Sequence, residues 1–216
     1  QEGINQISFY SIDNAGNKET AKTVEVKIDK TAPIITSNFN DLYELGSTLN
    51  LNYHTNDILS GVVSETVILT SPGEVIGKAV NKLNQITLDE PGVYTLTIFA
   101  TDAAGNTQIL KKQFTVYIPA SIEVTPNVIK GNKGVFTLRV DLPQGFATNQ
   151  LDLDSAKLNG VSALNSNNGY YNQAKLGQFK FERSNFQWAA GEQALMFRCY
   201  ANGYLVIGQT TIKVIN

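Results

Sequence analysis

The 216 residues carry 17 basic and 19 acidic side chains, and no Lys/Arg cluster able to neutralise a run of phosphates, which argues against a nucleic-acid partner. A single cysteine excludes an intramolecular disulfide, and no apolar run approaches the ~20 residues of a membrane-spanning helix. At roughly 100 residues per all-β module, the length predicts two modules and a remainder, each with one modest core and any site on loops or a sheet face.

The chain opens on QEGINQ, with no basic-then-apolar leader. Residues 2–17, EGINQISFYSIDNAGN, read as a strand followed by a tight turn, in which Asp13 accepts backbone amides and Gly16 takes a positive φ. VEVKI at 24–28 continues as the return strand, and in the connector IDKTAP that follows, Pro33 removes an amide donor and fixes φ. In LNLNYH, Leu49, Leu51 and Tyr53 share one face and Asn50, Asn52 and His54 the other, the period of a half-buried strand. NDILSGV (56–62) is a loop. GVYTL and ATDAAGN (92–106) repeat the strand and turn, FTVYI (114–118) the return strand, and VYIPASIEV carries a second connector with Pro119. Further on, GVFTLRVDL places Phe136, Leu138, Val140 and Leu142 on one face, and Asn202 with Gly203 marks a two-residue hairpin turn. The pattern predicts an all-β chain of antiparallel sheets.

The repeat is the most informative feature. Gly3, Asp13, Gly16 and Asn17 match Gly92, Asp102, Gly105 and Asn106 at one offset of 89 residues (102 − 13), and VEVKI matches FTVYI at 90. That spacing is one sandwich module. It predicts that residues 1–30 are the last hairpin of an incomplete module, that 31–118 form a complete sandwich, and that 119–216 form a C-terminal one. A lone two-stranded hairpin is marginal in water, so the missing strands are expected on an upstream polypeptide of the same parent protein.

SIDNAGN, IDKTAP, NDILSGV and ATDAAGN resemble the bacterial immunoglobulin-like modules of secreted and cell-surface proteins, and GVYTL resembles an immunoglobulin tyrosine corner built on Tyr94. SIEVTPNVIKGNKGVFTLRVDLPQGF with LDLDSAKLNGV and QFKFER resembles a C-terminal β-sandwich module of surface proteins and secreted hydrolases. The resemblance implies tandem immunoglobulin-like sandwiches in a secreted or surface location, and is nearly silent on activity. Relatives of the last module often carry an Asp-rich, calcium-holding loop before the QFKFER-like strand. Here that loop, NSNNGYYNQAKLG (165–177), has no carboxylate, so no calcium site carries over.

Few side chains have the chemistry for a site. His54 is the only imidazole and falls on a solvated face, while Cys199 alternates inward with Leu195 and Phe197 as an inert thiol. No GxSxG, HExxH, P-loop or CxxC pattern occurs, and no carboxylate pair is designated for glycosidase work. Asp13, Asp57 and Asp102 sit at turns, where they either cap backbone amides or collect calcium at a module junction. Tyr170, Tyr171 and Trp188 lie in loop-like stretches and either complete a core or stack on polysaccharide. Two roles follow: non-catalytic accessory, spacer or presentation modules, or a carbohydrate-binding accessory module facing a polysaccharide or cell wall.

Overall fold

The computed structural model describes residues 1–83, 85–164 and 169–215. It is built of strands. In the first unit, β1 (Gly3–Phe9) and β2 (Lys22–Ile28) pair antiparallel, with Gly3 opposite Ile28 and Phe9 opposite Lys22. Among the described residues these two strands form a sheet with no third member.

The middle unit follows with β3 (Ile34–Ser37), β4 (Leu42–Glu44), β5 (Thr48–Leu49), β6 (Tyr53–Asn56), β7 (Val62–Thr70), β8 (Lys78–Val80), β9 (Ile86–Thr87), β10 (Gly92–Asp102) and β11 (Thr107–Thr125). One layer has the order β8, β7, β10, β11, β4, antiparallel except where β11 meets β4. The pairs β3–β6 and β5–β9 form the facing layer. LNLNYH, expected as one strand, is broken between β5 and β6 by a bend in which the Asn52 amide donates to the Asn50 carbonyl. Leu49, Leu51 and Tyr53 stay buried, because a local bend changes hydrogen-bond partners without changing which side chains face inward. The Tyr94 hydroxyl accepts the Glu90 amide at 3.3 Å and its ring stacks on Phe114 at 5.3 Å, the tyrosine corner that the GVYTL resemblance implied.

The third unit contains β12 (Val128–Lys130), β13 (Val135–Asp141), β14 (Leu151–Leu158), β15 (Val161–Ser162), the short helix α1 (Tyr170–Ala174), β16 (Gln178–Glu182), β17 (Gly191–Ala201) and β18 (Tyr204–Ile215). β15, β14, β17 and β18 make one layer, with β11 and β12 running parallel to β18, and β11, β13 and β16 make the other. Phe136, Leu138, Phe179, Phe181, Phe197 and Val206 fill the space between. Asn202 and Gly203 both take positive φ (49° and 84°), the geometry that a two-residue hairpin turn requires.

Pro119 does not break the chain. Strand β11 continues for 19 residues through both sandwiches. It pairs in turn with β10, with β18 at residues 118–120 and with β13 at residues 121–125. The proline falls where the strand leaves one set of partners for the next, so its missing N–H interrupts no long ladder. The Tyr204 ring of the third unit lies beside Gly92 of the middle unit. A Cβ on Gly92, whose φ is +131°, would lie 2.9 Å from Pro72 and 3.4 Å from the Tyr204 ring.

Candidate functional site

The chemistry-bearing residues concentrate where the hairpin meets the middle unit. Three pieces of backbone converge there: the connector after β2, the loop at 57–61, and the β10–β11 turn. Each is shaped by an aspartate. Asp102 Oδ1 accepts the amides of Ala104 (2.9 Å) and Asn106 (2.8 Å), and its Oδ2 accepts the Asn106 side-chain amide at 2.9 Å. Asp57 Oδ1 accepts the amides of Ser60 and Gly61, both at 2.8 Å. Asp29 Oδ1 accepts the Thr31 amide at 3.0 Å. The turn and loop are joined directly, since Ala103 N–H donates to the Gly61 carbonyl at 3.0 Å.

One carboxylate oxygen from each of Asp29, Asp57 and Asp102 lies within 4.8 Å of the other two. Asp102 is almost wholly buried, and Asp29 Oδ2 is shielded from solvent without a hydrogen-bond partner. Hydrogen bonds from Ser60 and Thr31 hold the Asp29 carboxyl below its ordinary pKa, which favours the charged form. Among the described residues, none of the three is in an ion pair with lysine or arginine. Oxygen donors gathered without a cationic side chain are of the kind that could hold a hard divalent ion such as calcium.

Of the aspartates singled out in the sequence, the structure brings Asp57 and Asp102 together and leaves Asp13 apart. Asp13 makes the same turn, accepting Ala15 at 2.9 Å and Asn17 at 2.8 Å, but is exposed at the far end of the hairpin. The hydrogen bonds from Asn17 lower its pKa. Asp29 was the member that sequence reading missed. The available signal was its place one residue past the return strand, in IDKTAP. At the equivalent position after the second return strand stands Pro119, 90 residues on.

The three aromatic candidates do not share a surface. Tyr170 and Tyr171 lie on α1 rather than in a loop, because residues 170–174 close a helical turn that caps at Lys175. Tyr171 is exposed, with Lys175 Nζ 4.5 Å from its ring, and borders a cleft with Thr148, Asn149, Asp152 and Asp154. A register break in the β14–β17 pairing between Asp152 and Lys157 bows β14 outward beside that cleft. Trp188 is half-buried, donates Nε1–H to the Arg183 carbonyl at 2.9 Å, and stacks on Phe186 at 5.0 Å. It borders a different cleft, with Asn159 and Gln193. Residues 165–168 of the carboxylate-free loop lie outside the described residues.

His54 is exposed on β6, opposite Thr36. Cys199 is buried, with Ser155 Oγ at 3.3 Å and the Asp152 carbonyl at 3.2 Å, and burial raises its thiol pKa. A protonated, shielded thiol is a poor nucleophile. Among the described residues, no helix is long and apolar enough to cross a membrane.

No protein-family model and no curated protein matches the chain. Its fold is similar to solved β-sandwich arrays. It covers 84% of itself and 93% of fibronectin(III)-like modules of CbhA from Clostridium thermocellum, at 13% identity and a TM-score of 0.30. Against a Ca2+-stabilized adhesin with which an Antarctic bacterium binds ice, 99% of the chain aligns at 17% identity and a TM-score of 0.27. Against a Dscam structure, 93% aligns at 14% identity and a TM-score of 0.32. The chain spans about half the length of the Dscam and adhesin structures, 52% and 57%. At these scores the likenesses assign no role.

Proposed function

We propose that this chain is a run of non-catalytic accessory modules, acting as a spacer or presentation arm of a larger secreted or surface-attached bacterial protein and joined through its hairpin to an upstream portion. The observation that carries this reading is β11, which belongs to the sheets of two successive sandwiches without a linker between them. The Tyr204 ring lies beside Gly92 at the same junction. A geometry that fixes one module on the next suits reach and presentation. The aspartates Asp29, Asp57 and Asp102 extend it, as a calcium site that would hold the hairpin to the middle unit. Small-angle scattering tests the arm: a single extended particle is expected, and insertion of a Gly/Ser linker after Ala120 broadens its distance distribution. Separately tumbling modules in the unaltered protein would overturn the reading.

Carbohydrate binding is the second reading, favoured by one observation, the exposed Tyr171 ring beside a cleft carrying Asp152, Asp154 and Asn149. Trp188 is less suited, since its ring is spent on Phe186 and Phe136. Affinity electrophoresis on a polysaccharide panel, with Tyr171→Ala as control, tests it; migration unchanged on every glycan removes it.

A further inference from the structure

The repeat places two versions of one hairpin in the same molecule, and they differ in what covers them. Ile7 and Phe9 on β1 are 54% and 48% exposed, whereas their counterparts Leu96 and Ile98 on β10 are each 1% exposed. Val24 on β2 is 48% exposed, and its counterpart Phe114 on β11 is 2% exposed. A Cβ on Gly3 (φ +104°) meets nothing within 4 Å, while one on Gly92 meets Pro72 at 2.9 Å. The turns themselves are alike, while the strand registers differ, Ile7 standing opposite Val24 and Leu96 opposite Lys112.

The covered version shows what does the covering. β7 pairs with the outer edge of β10, β4 pairs with the outer edge of β11, and the layer holding Leu49, Leu51 and Tyr53 closes the face. In the first unit both edges and the face are open among the described residues, which leaves unpaired amides beside contiguous apolar surface. A groove between the hairpin and the middle unit is lined by Ile4, Ile28, Ile58 and Leu59, with Ile4 on the opposite face of β1 from Ile7 and Phe9.

Resting on the reading of the hairpin as part of a longer array, we propose that β1–β2 is an acceptor for the remaining strands of an immunoglobulin-like module supplied by the upstream polypeptide. The strand beside β1 runs antiparallel to it in the register that β7 holds on β10. In that register Leu69 faces Leu96 and Val67 faces Ile98, with Ile68 between them, so the incoming strand sets two large apolar residues opposite Ile7 and Phe9. A second strand lies parallel to β2, as β4 does to β11. The occupant is thus a β-strand with large apolar residues on its inward face, recognised by main-chain hydrogen bonds and that apolar face.

Hydrogen exchange on the full chain tests this. In the unaltered protein, β1 amides are expected to exchange at least about tenfold faster than β10 amides. Placing a duplicate of residues 31–89 directly before Gln1 supplies the missing strands in the proposed register, because Gln1 then occupies the place of Glu90. Protection of β1 should rise about tenfold or more, with Phe9→Asp abolishing the gain and leaving β10 unchanged. A synthetic peptide of residues 62–71, added to the unaltered chain, is the second arm, and partial protection of the same amides is expected. Absence of protection in both arms, or β1 already as protected as β10 in the unaltered chain, overturns the proposal. Neither result bears on the β11 junction, which scattering tests separately.

Discussion

The side-chain amide of Asn106 reaches 77 residues back along the chain to the carbonyl oxygen of Asp29, 3.4 Å away, and stands equally far from that of Thr31. It also holds Asp102, so one side chain ties the closing turn of the middle unit to the connector that enters it. Replacing it with Ala removes donors from a shielded carboxylate and two carbonyls. Asn106→Ala should cost about 1–3 kcal/mol and speed exchange of the Lys30 and Thr31 amides. Thermal unfolding and hydrogen exchange measure the two effects, and unchanged exchange at both amides would show that Asn106 is not the tie.

Calcium should stabilise the junction through Asp29, Asp57 and Asp102 and not through Asp13. At a hundredfold excess over Kd the gain is about 2.7 kcal/mol, read as a higher unfolding temperature in calcium than in EDTA. Asp57→Asn and Asp102→Asn should abolish the response and Asp13→Asn should leave it. An identical response in all three variants would place the ion elsewhere.

Gly92→Ala should destabilise the protein by about 1–3 kcal/mol, since it adds a methyl 2.9 Å from Pro72 at a φ of +131°. Gly3→Ala shares the backbone strain and has no clash, so it should cost less. Denaturant unfolding of both variants separates the steric cost from the conformational one.

The Tyr53 hydroxyl donates to Glu65 at 2.9 Å, and burial, then the neighbouring carboxylate, push its pKa up to about 12. A folded-state value above the unfolded value of about 10 means stability fully present below pH ~10 and lost as pH rises toward ~12. The amount is about 2–3 kcal/mol. Tyr53→Phe should flatten the fall in stability across that window, seen by alkaline titration of unfolding. An equal slope in both proteins would mean that other tyrosines carry it.

Cys199 should resist a thiol reagent in the folded protein and react at once in denaturant, because the group is buried and its pKa raised. Fast labelling under native conditions would show that β17 opens locally far more easily than its ladder to β18 implies.

The inward faces of β10, β13 and β17 were legible in the sequence, since Leu96, Leu138 and Phe197 follow a two-residue period that burial alone enforces. The repeat also marked Asp102 as a turn residue. Asp29 was not legible as its neighbour, because proximity across 73 residues depends on how the connector folds back, and no local period encodes that. Pro119 was read as a connector, and the strand runs through it. A proline ends a strand only where its missing N–H breaks a ladder, and the partner change within β11 removes that condition. Tyr170 and Tyr171 lacked any helical period to read, since α1 is a single turn of five residues.

The unbroken course of β11 decides how the last two sandwiches answer to a mechanical load. Tension passed along the polypeptide travels down one extended strand from the middle unit into the third. The ladders to β10, β18 and β13 then oppose it in shear, many bonds at a time, with no slack hinge to swing first. The joint at Asp29 is held instead by side chains, through Asn106 and the converging carboxylates. Within one chain, then, the first joint rests on side chains, and the second on a strand shared by both sandwiches.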